Sequence, residues 1–383
     1  MKPWLLVVAV EASGDLHGAA VLRELKELLP ELQTFGAAGP LMRAQGCEAL
    51  VNAEDLGVMG LVEVLPAVPR ILDAIDLLSD AARDRRPLAA LLIDSPDFNL
   101  RLARRLKRYR IPVIDFIGPS VWAWRTYRVR QIARDVFRML VILPFEAAFY
   151  EQHGVRATYV GNPVADAHRT LPTVADRAAL RRSLGLDPQR RVLALLPGSR
   201  RQEIARLWEP MLGAARTLLA ARPDLQIAVP VAPTIDQASL PARGLPIHFV
   251  AGRAPEVLAA ADAAVVASGT ATLEAALAPV PTVVVYRLSW LSWLVGRLLV
   301  RVRFVSLVNL LAGRALVPEL LQAGCTAASI AAEAGPLLDG GPARAAQLDG
   351  MRALREQLAP AGSPHAARRA AQEVAAVLAG IRA

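Results

Sequence analysis

The segment LIDSPDFNLR, residues 92–101, puts an acid at the end of an otherwise apolar run. If that run is a strand, Asp94 lies at the sheet edge where α/β proteins bind ligands. A carboxylate with reduced solvation there is placed to act as a general base. Asp97 is the second candidate for that role, and Asn99 follows in the same loop. Structural uses compete with both assignments. Asp97 could cap a helix starting near Phe98, and Asp94 could simply bind a loop N–H.

Three further stretches could handle anions. LLPGSRRQEIARLWEPML (195–212) runs from an apolar strand into Gly198, Ser199 and Arg200 and then into a helical pattern. Backbone N–H groups, the Ser199 hydroxyl and Arg200 together suit a diphosphate. VASGTATLEAALAPVPTVV (266–284) repeats the theme with Ser268, Gly269 and Thr270. Glu274 follows about one turn into that helix, where it could accept hydrogen bonds from ribose hydroxyls. EASGDLHG (11–18) has Glu11, Ser13, Gly14 and Asp15 after a strand but no lysine, so it is not a P-loop. Each stretch also reads as an ordinary capped helix start, with Ser13 or Asp15 as the cap of the first helix and Arg200 and Arg201 as solvated charges.

Short β-rich runs separated by helical patterns must position these loops. WLLVVAV (4–10), LQTFGAA (32–38), LAALLID (88–94), PVIDFIG (112–118) and RMLVIL (138–143) read as buried strands. A second set reads the same way: RVLALLP (191–197), LQIAVPV (225–231), PIHFV (246–250), AAVVAS (263–268) and PTVVVY (281–286). Continuous apolar strands alternating with helices predict parallel, doubly wound sheets. The proline-punctuated stretch around 161–180 marks the division, and the last ~60 residues read as Ala- and Arg-rich helix. The expected organisation is an N-terminal lobe at 1–165, a C-terminal lobe at 166–340 and a helical tail at 341–383. That tail would pack back on the first lobe or be exchanged in a homodimer.

Composition narrows the partners. Of 383 residues, 54% are hydrophobic and the net charge is +9. This affords a large core and favours anionic ligands or an anionic membrane face. No nucleic-acid motif appears, so nucleic acid is not an expected partner. Two separated cysteines fit a reducing compartment, and five histidines without ligand spacing argue against a metal site. The nine residues LSWLSWLVG (288–296) are too few to span a bilayer. The expected location is therefore cytoplasmic, with peripheral contact possible through the Leu-, Trp- and Arg-containing segments 59–78 and 286–304. The commoner use of such segments is as core or dimer-facing helices.

The motifs stand in an order that resembles the lipid-A-disaccharide synthase family. They are EASGD (11–15), AAGPLMRAQGCEA (37–49), VMGLVEVL (58–65), DSPDFN (94–99), PSVWAWR (119–125), LPFEAAFY (143–150), LLPGSR (195–200), ASGTATLE (267–274) and SLVNLLAGRALVPELLQ (306–322). The resemblance implies an α/β protein of GT-B architecture: two Rossmann-like doubly wound lobes facing a central cleft, with a helical C-terminal tail. It implies an inverting, metal-independent transfer, without cofactor, from UDP-2,3-diacylglucosamine to 2,3-diacylglucosamine 1-phosphate at the cytoplasmic face of the inner membrane. Asp94 and Arg200 are then the catalytic pair. Gly198, Ser199, Arg200, Ser268, Gly269, Thr270, Glu274 and Asn309 are then donor-side residues. Glu11, Ser13, Gly14, Asp15, Asp97 and Asn99 fall on the acceptor side or the cleft. Rival readings are another GT-B UDP-sugar enzyme, whether glycosyltransferase or epimerase, and a non-catalytic lipid-binding protein on this fold.

Overall fold

In a computed structural model, strands and helices alternate along the chain. It describes all residues except 1–2, 57–63, 125, 171, 290–292, 294–301 and 383. Two units emerge: residues 1–163 with 362–383, and residues 164–361.

The first unit holds seven strands: β1 Trp4–Val8, β2 Gln33–Ala38, β3 Glu48–Asn52, β4 Ala89–Ile93, β5 Val113–Phe116, β6 Arg138–Val141 and β7 Ala157–Tyr159. They lie in the order β3-β2-β1-β4-β5-β6-β7, all neighbours parallel. The second unit holds β8 Val192–Leu196, β9 Gln226–Val231, β10 Ile247–Ala251, β11 Ala263–Ala267, β12 Thr282–Tyr286 and β13 Glu319–Leu321. Their order is β10-β9-β8-β11-β12-β13, again parallel. β1, β4, β8 and β11 are the central strands. β4, β8 and β11 are buried at every position, because helices cover both faces of each sheet.

Strand order reverses between β1 and β4 in one unit and between β8 and β11 in the other. At such a point the two connecting segments leave toward opposite faces and open a crevice at the carboxyl ends of the strands. The loops that bear the candidate chemistry therefore follow these four strands: EASGD after β1, DSPDFN after β4, PGSR after β8 and SGT after β11.

The ten apolar runs all contain strands. Three strands lie outside them: β3, β7 and β13. Each borders its sheet and is half-buried along most of its length, so none carries the continuous apolar run of a central strand. The tail segment 341–383 is divided by the structure. The Pro342–Leu358 helix belongs to the second unit, where Gln347 Oε1 accepts from the Thr282 N–H at 2.7 Å and Met351 and Leu354 join a buried cluster. Only the Ala366–Arg382 helix covers the first unit. There Ala370, Val374 and Leu378 enter the core beside Leu22 and Leu25 of α1, the helix Ala12–Leu28. Arg368 pairs with Glu24 and Glu27 at the rim of that contact.

Part of the apolar and basic segment 59–78 falls in the Val64–Arg85 helix, which leaves Leu72 and Leu77 exposed. Residues 57–63, Arg125 of PSVWAWR and most of 286–304 lie outside the described residues.

Gly36 shows how closely the first sheet is built. It pairs with Val7 at a φ of 151°, and a Cβ there would lie 2.0 Å from the Val7 carbonyl oxygen. The obstacle is backbone, which cannot swing aside. Gly36→Ala is expected to destabilise the first unit by about 3 kcal/mol, seen as a lower urea midpoint with unchanged slope; an unchanged midpoint would contradict the packing described.

Candidate functional site

In the first unit, α1 approaches the end of β4 through two glycines. A Cβ on Gly14 would sit 3.2 Å from Ala9 Cβ and 3.4 Å from the Ile93 carbonyl oxygen. One on Gly18 would sit 2.5 Å from Met42 Sδ and 3.0 Å from Ile93 Cδ1. Small residues here let the helix start lie against the strand end.

The strand end itself is strained. Asp94 and Ser95 are consecutive non-glycine residues with φ of 55° and 45°, and Ile117, just past β5, has φ of 62°. Left-handed backbone at residues other than glycine is uncommon and persists only where surroundings enforce it. The enforcing contacts are visible. Ser13 Oγ donates to Asp94 Oδ2 at 2.9 Å, and Ser95 Oγ donates to Glu11 Oε1 at 2.8 Å. The Ser95 N–H donates to Asp94 Oδ1 at 2.9 Å, and Asn99 Nδ2 donates to the Asp94 carbonyl. The Asp94 N–H is itself held by the Phe116 carbonyl at 3.0 Å. A half-buried carboxylate is thus fixed at the switch point, with Glu11 and Ser13 exposed beside it.

His17, one helical turn after Ser13, was not among the sequence candidates. Burial pushes its imidazole below the ordinary value of 6.5, and the Asp94 charge opposes that shift. Its signal in the sequence is the i, i+4 spacing from Ser13, which puts both on one helix face.

Two other sequence candidates occupy different roles in the structure. Asp15 is 3% exposed and does not cap its own helix. Its two oxygens accept the Leu41 and Met42 N–H groups, each at 2.9 Å, at the start of α2, the helix Pro40–Ala44. Gly39 makes room, since a Cβ there would lie 2.4 Å from the Asp15 carboxyl. Glu11, not Ser13 or Asp15, is the residue at the cap position of α1. Asp97 lies in the first turn of the Pro96–Arg108 helix, whose cap position is Ser95. Its exposed carboxylate pairs with Arg128 at 2.5 Å.

In the second unit, Gly198 has φ of 112°, and the N–H groups of Ser199 and Arg200 both point at Glu203 Oε2, at 3.1 and 3.3 Å. A Cβ on Gly198 would meet that oxygen at 2.3 Å. A carboxylate therefore already sits where a helix N-terminus attracts anions. Glu203 also accepts from Arg200 Nη1 at 3.0 Å, yet the Arg200 side chain remains 81% exposed. Sequence reading missed Glu203, although its place three residues past the cap of the Arg201–Ala221 helix is the capping-box position.

Past β11, the Ser268 hydroxyl donates to the Val305 carbonyl at 3.3 Å, while Gly269 and Thr270 are exposed. The cap position of the Thr270–Leu277 helix is Gly269, which makes no side-chain cap, and the Thr272 N–H turns back to the Gly269 carbonyl at 3.1 Å. Glu274 is half-buried one turn on. Burial raises its carboxyl above the usual range, and His168 on the neighbouring segment opposes the shift.

Asn309 differs from its expected donor-side role. It is 1% exposed and fully engaged. Oδ1 accepts the Leu316 and Val317 N–H groups at 2.8 and 2.9 Å, and Nδ2 donates to the Val317 carbonyl and to Glu319 Oε1, both at 2.9 Å. Its amide has no capacity left for a nucleotide in this arrangement. It pins the start of β13 to the Leu307–Ala312 helix.

The capping role of Asp15 is testable. Asp15→Asn and Asp15→Ala are both expected to cost about 1–3 kcal/mol in chemical unfolding, because an amide would turn its N–H₂ against one of the two donors. Full stability of Asp15→Asn would refute the two-acceptor geometry.

Residues 5–374 match the family model described as lipid-A-disaccharide synthetase. The lipid-A-disaccharide synthase of Anaeromyxobacter sp. (strain K) is 52% identical over 379 residues, covering 98% of this chain and 97% of that protein. That of Myxococcus xanthus (strain DK1622) is 50% identical over 380 residues, covering 98% of each. Among solved structures, the glycosyltransferase of kitacinnamycin aligns with a TM-score of 0.65 at 17% identity, covering 98% of this chain and all of that one. The UDP-GlcNAc 2-epimerase of Neisseria meningitidis aligns with a TM-score of 0.60 at 12% identity, covering 99% and 100%. These structural likenesses carry the GT-B fold alone. The sequence matches carry more: the chain belongs to the lipid-A-disaccharide synthase family.

Proposed function

We propose that the protein is the glycosyltransferase that joins UDP-2,3-diacylglucosamine to 2,3-diacylglucosamine 1-phosphate. The product is the β-1,6-linked lipid A disaccharide 1-phosphate, and UDP leaves. The observation that carries this reading is half-sequence identity with lipid-A-disaccharide synthases over nearly the whole chain. The chemistry-bearing loops at both topological switch points support it.

The acceptor 6-hydroxyl attacks the anomeric carbon of the donor as its proton passes to Asp94. The new C–O bond forms on the face opposite the breaking bond, which inverts the centre. The electron pair of the broken C–O bond leaves with the β-phosphate of UDP. Ser13 and the Ser95 N–H hold the Asp94 carboxylate in one orientation, so little reorganisation is needed when the proton arrives.

In the second unit, Arg200 and the N–H groups after Gly198 receive the diphosphate. Glu203 must yield part of its place there, and the exposed Arg200 supplies the positive charge that makes the exchange favourable. The uncapped start at Gly269 and Thr270 offers a second anion site, and Glu274 accepts from the ribose hydroxyls. Asp15 and Asn309 are left out of substrate binding, because their polar atoms hold backbone.

The acyl chains call for an apolar surface near a membrane. No helix among the described residues is long and apolar enough to cross one. Exposed Leu72 and Leu77, with a net charge of +9, support peripheral contact with an anionic leaflet. A homodimer remains part of the proposal through the tail helix Ala366–Arg382.

Incubating the purified protein with both lipid substrates tests the reading. Disaccharide 1-phosphate and stoichiometric UDP are expected, and lipid binding without product would contradict it. Arg200→Ala is expected to lower kcat about 10²-fold or more and to weaken UDP binding; unchanged kinetics would remove Arg200 from the donor site.

A further inference from the structure

Val113 on β5 joins the core beneath the Pro96–Arg108 helix, whereas Ile114 joins the core beneath α1. Alternation along a strand therefore puts Asp115 on the side of Asn99. Asp115 is 1% exposed and stands in register with Leu92, two residues before Asp94. Its Oδ1 has no hydrogen-bond partner among the described residues. Asn99 Oδ1, also buried, lacks one as well, although the same amide donates to the Asp94 carbonyl.

The backbone closes over this carboxyl. After Ile117 in its left-handed conformation, a Cβ on Gly118 would lie 3.3 Å from Asp115 Oδ1, 3.5 Å from Tyr150 Oη and 2.2 Å from Met139 Cε. The groups facing Asp115 are thus Asp94 from the end of β4, Tyr150 from the Pro144–Glu151 helix and apolar Met139 from β6. Tyr150 Oη donates to the Pro119 carbonyl at 3.1 Å, and burial with the nearby acids Asp115 and Glu146 pushes its ionisation far up, so it brings no charge. Buried Glu146 is likewise raised by burial. Among the described residues of these elements, no cation is paired with Asp115. Burial first, and the Asp94 charge second, hold its carboxyl well above the ordinary range. An unpaired buried carboxylate is among the most costly arrangements in a protein, whereas a carboxylic acid is tolerable and brings a donor.

We propose that Asp115 is a positioning residue for the Asp94 turn: a neutral acid that supplies the hydrogen-bond donor this buried face lacks and keeps a second negative charge away from the base. The proposal rests on the reading of Asp94 as base. It gives the turn support from beneath, where Ser13 and Glu11 hold it from above.

Two measurements on Asp115→Asn, an isosteric neutral donor, test it. The first needs no activity. Unfolded, Asp115 titrates near 3.8; folded, it keeps its proton to much higher pH. Between those limits the folded state binds more protons than the unfolded state, so this residue makes the wild type lose stability as pH rises. The melting temperature of Asp115→Asn relative to wild type is therefore expected to climb as pH rises above the ordinary carboxyl range. A difference that stays flat or falls with pH would overturn the neutral acid. The second is turnover. Asp115→Asn is expected within about threefold of wild type at neutral pH, while Asp115→Ala loses about tenfold or more in kcat at unchanged UDP-sugar KM. Equal loss in Asn and Ala, or a loss in Ala that falls on KM rather than kcat, would overturn the positioning role. If the wild type forms no disaccharide, the glycosyltransferase reading fails instead, and the melting series still decides the state of Asp115.

Discussion

The close approach of α1 to the end of β4 is the constraint on which the first unit's chemistry depends. Gly14 and Gly18 permit it, and Ser13 and Glu11 use it to hold Asp94 and Ser95 in left-handed conformations. Two such residues in sequence cost on the order of 2–6 kcal/mol together. Hydrogen bonds from a helix start, the amide of Asn99 and the β5 backbone offset that cost. The return is a carboxylate with one orientation at a switch point, rather than a mobile side chain on a loop.

The second unit solves a similar problem with different parts. Its anion position after β8 is filled by Glu203, which keeps the loop ordered through the N–H groups of Ser199 and Arg200. The position after β11 is left uncapped. In the proposed reaction, a diphosphate would meet one position held by a displaceable carboxylate and one helix start with no side-chain cap. This division fits a donor that carries its charge on two phosphates and its hydroxyls on a ribose.

Much of this was legible in the sequence. Central strands are covered on both faces, so they read as continuous apolar runs. The polar residues that interrupt such runs fall at strand ends by necessity. That is why Asp94, Gly198 to Arg200 and Ser268 to Thr270 stood out. Edge strands β3, β7 and β13 did not, because half-burial removes the apolar signal. Roles were harder than positions. Asp15 and Asn309 sit in loops rich in small and polar residues, and nothing local distinguishes a ligand contact from a cap on another element. Asp15 serves a helix start 26 residues away, and Asn309 serves backbone seven and eight residues on. Asp115 was invisible for the opposite reason. It lies inside an apolar run, where one acid looks like an exception and only the three-dimensional burial gives it meaning.

In the proposed reaction Asp94, rather than Asp97, receives the acceptor proton. Asp97 is exposed and paired with Arg128, while Asp94 is fixed in the turn. Steady-state disaccharide formation by Asp94→Asn and Asp97→Asn, measured side by side, tests this most directly. The expected result is a loss of about 10²- to 10⁴-fold in kcat for Asp94→Asn with UDP-sugar KM preserved, against a much smaller loss for Asp97→Asn. Near-normal turnover in Asp94→Asn, with collapse in Asp97→Asn, would contradict this and move the base to the helix start.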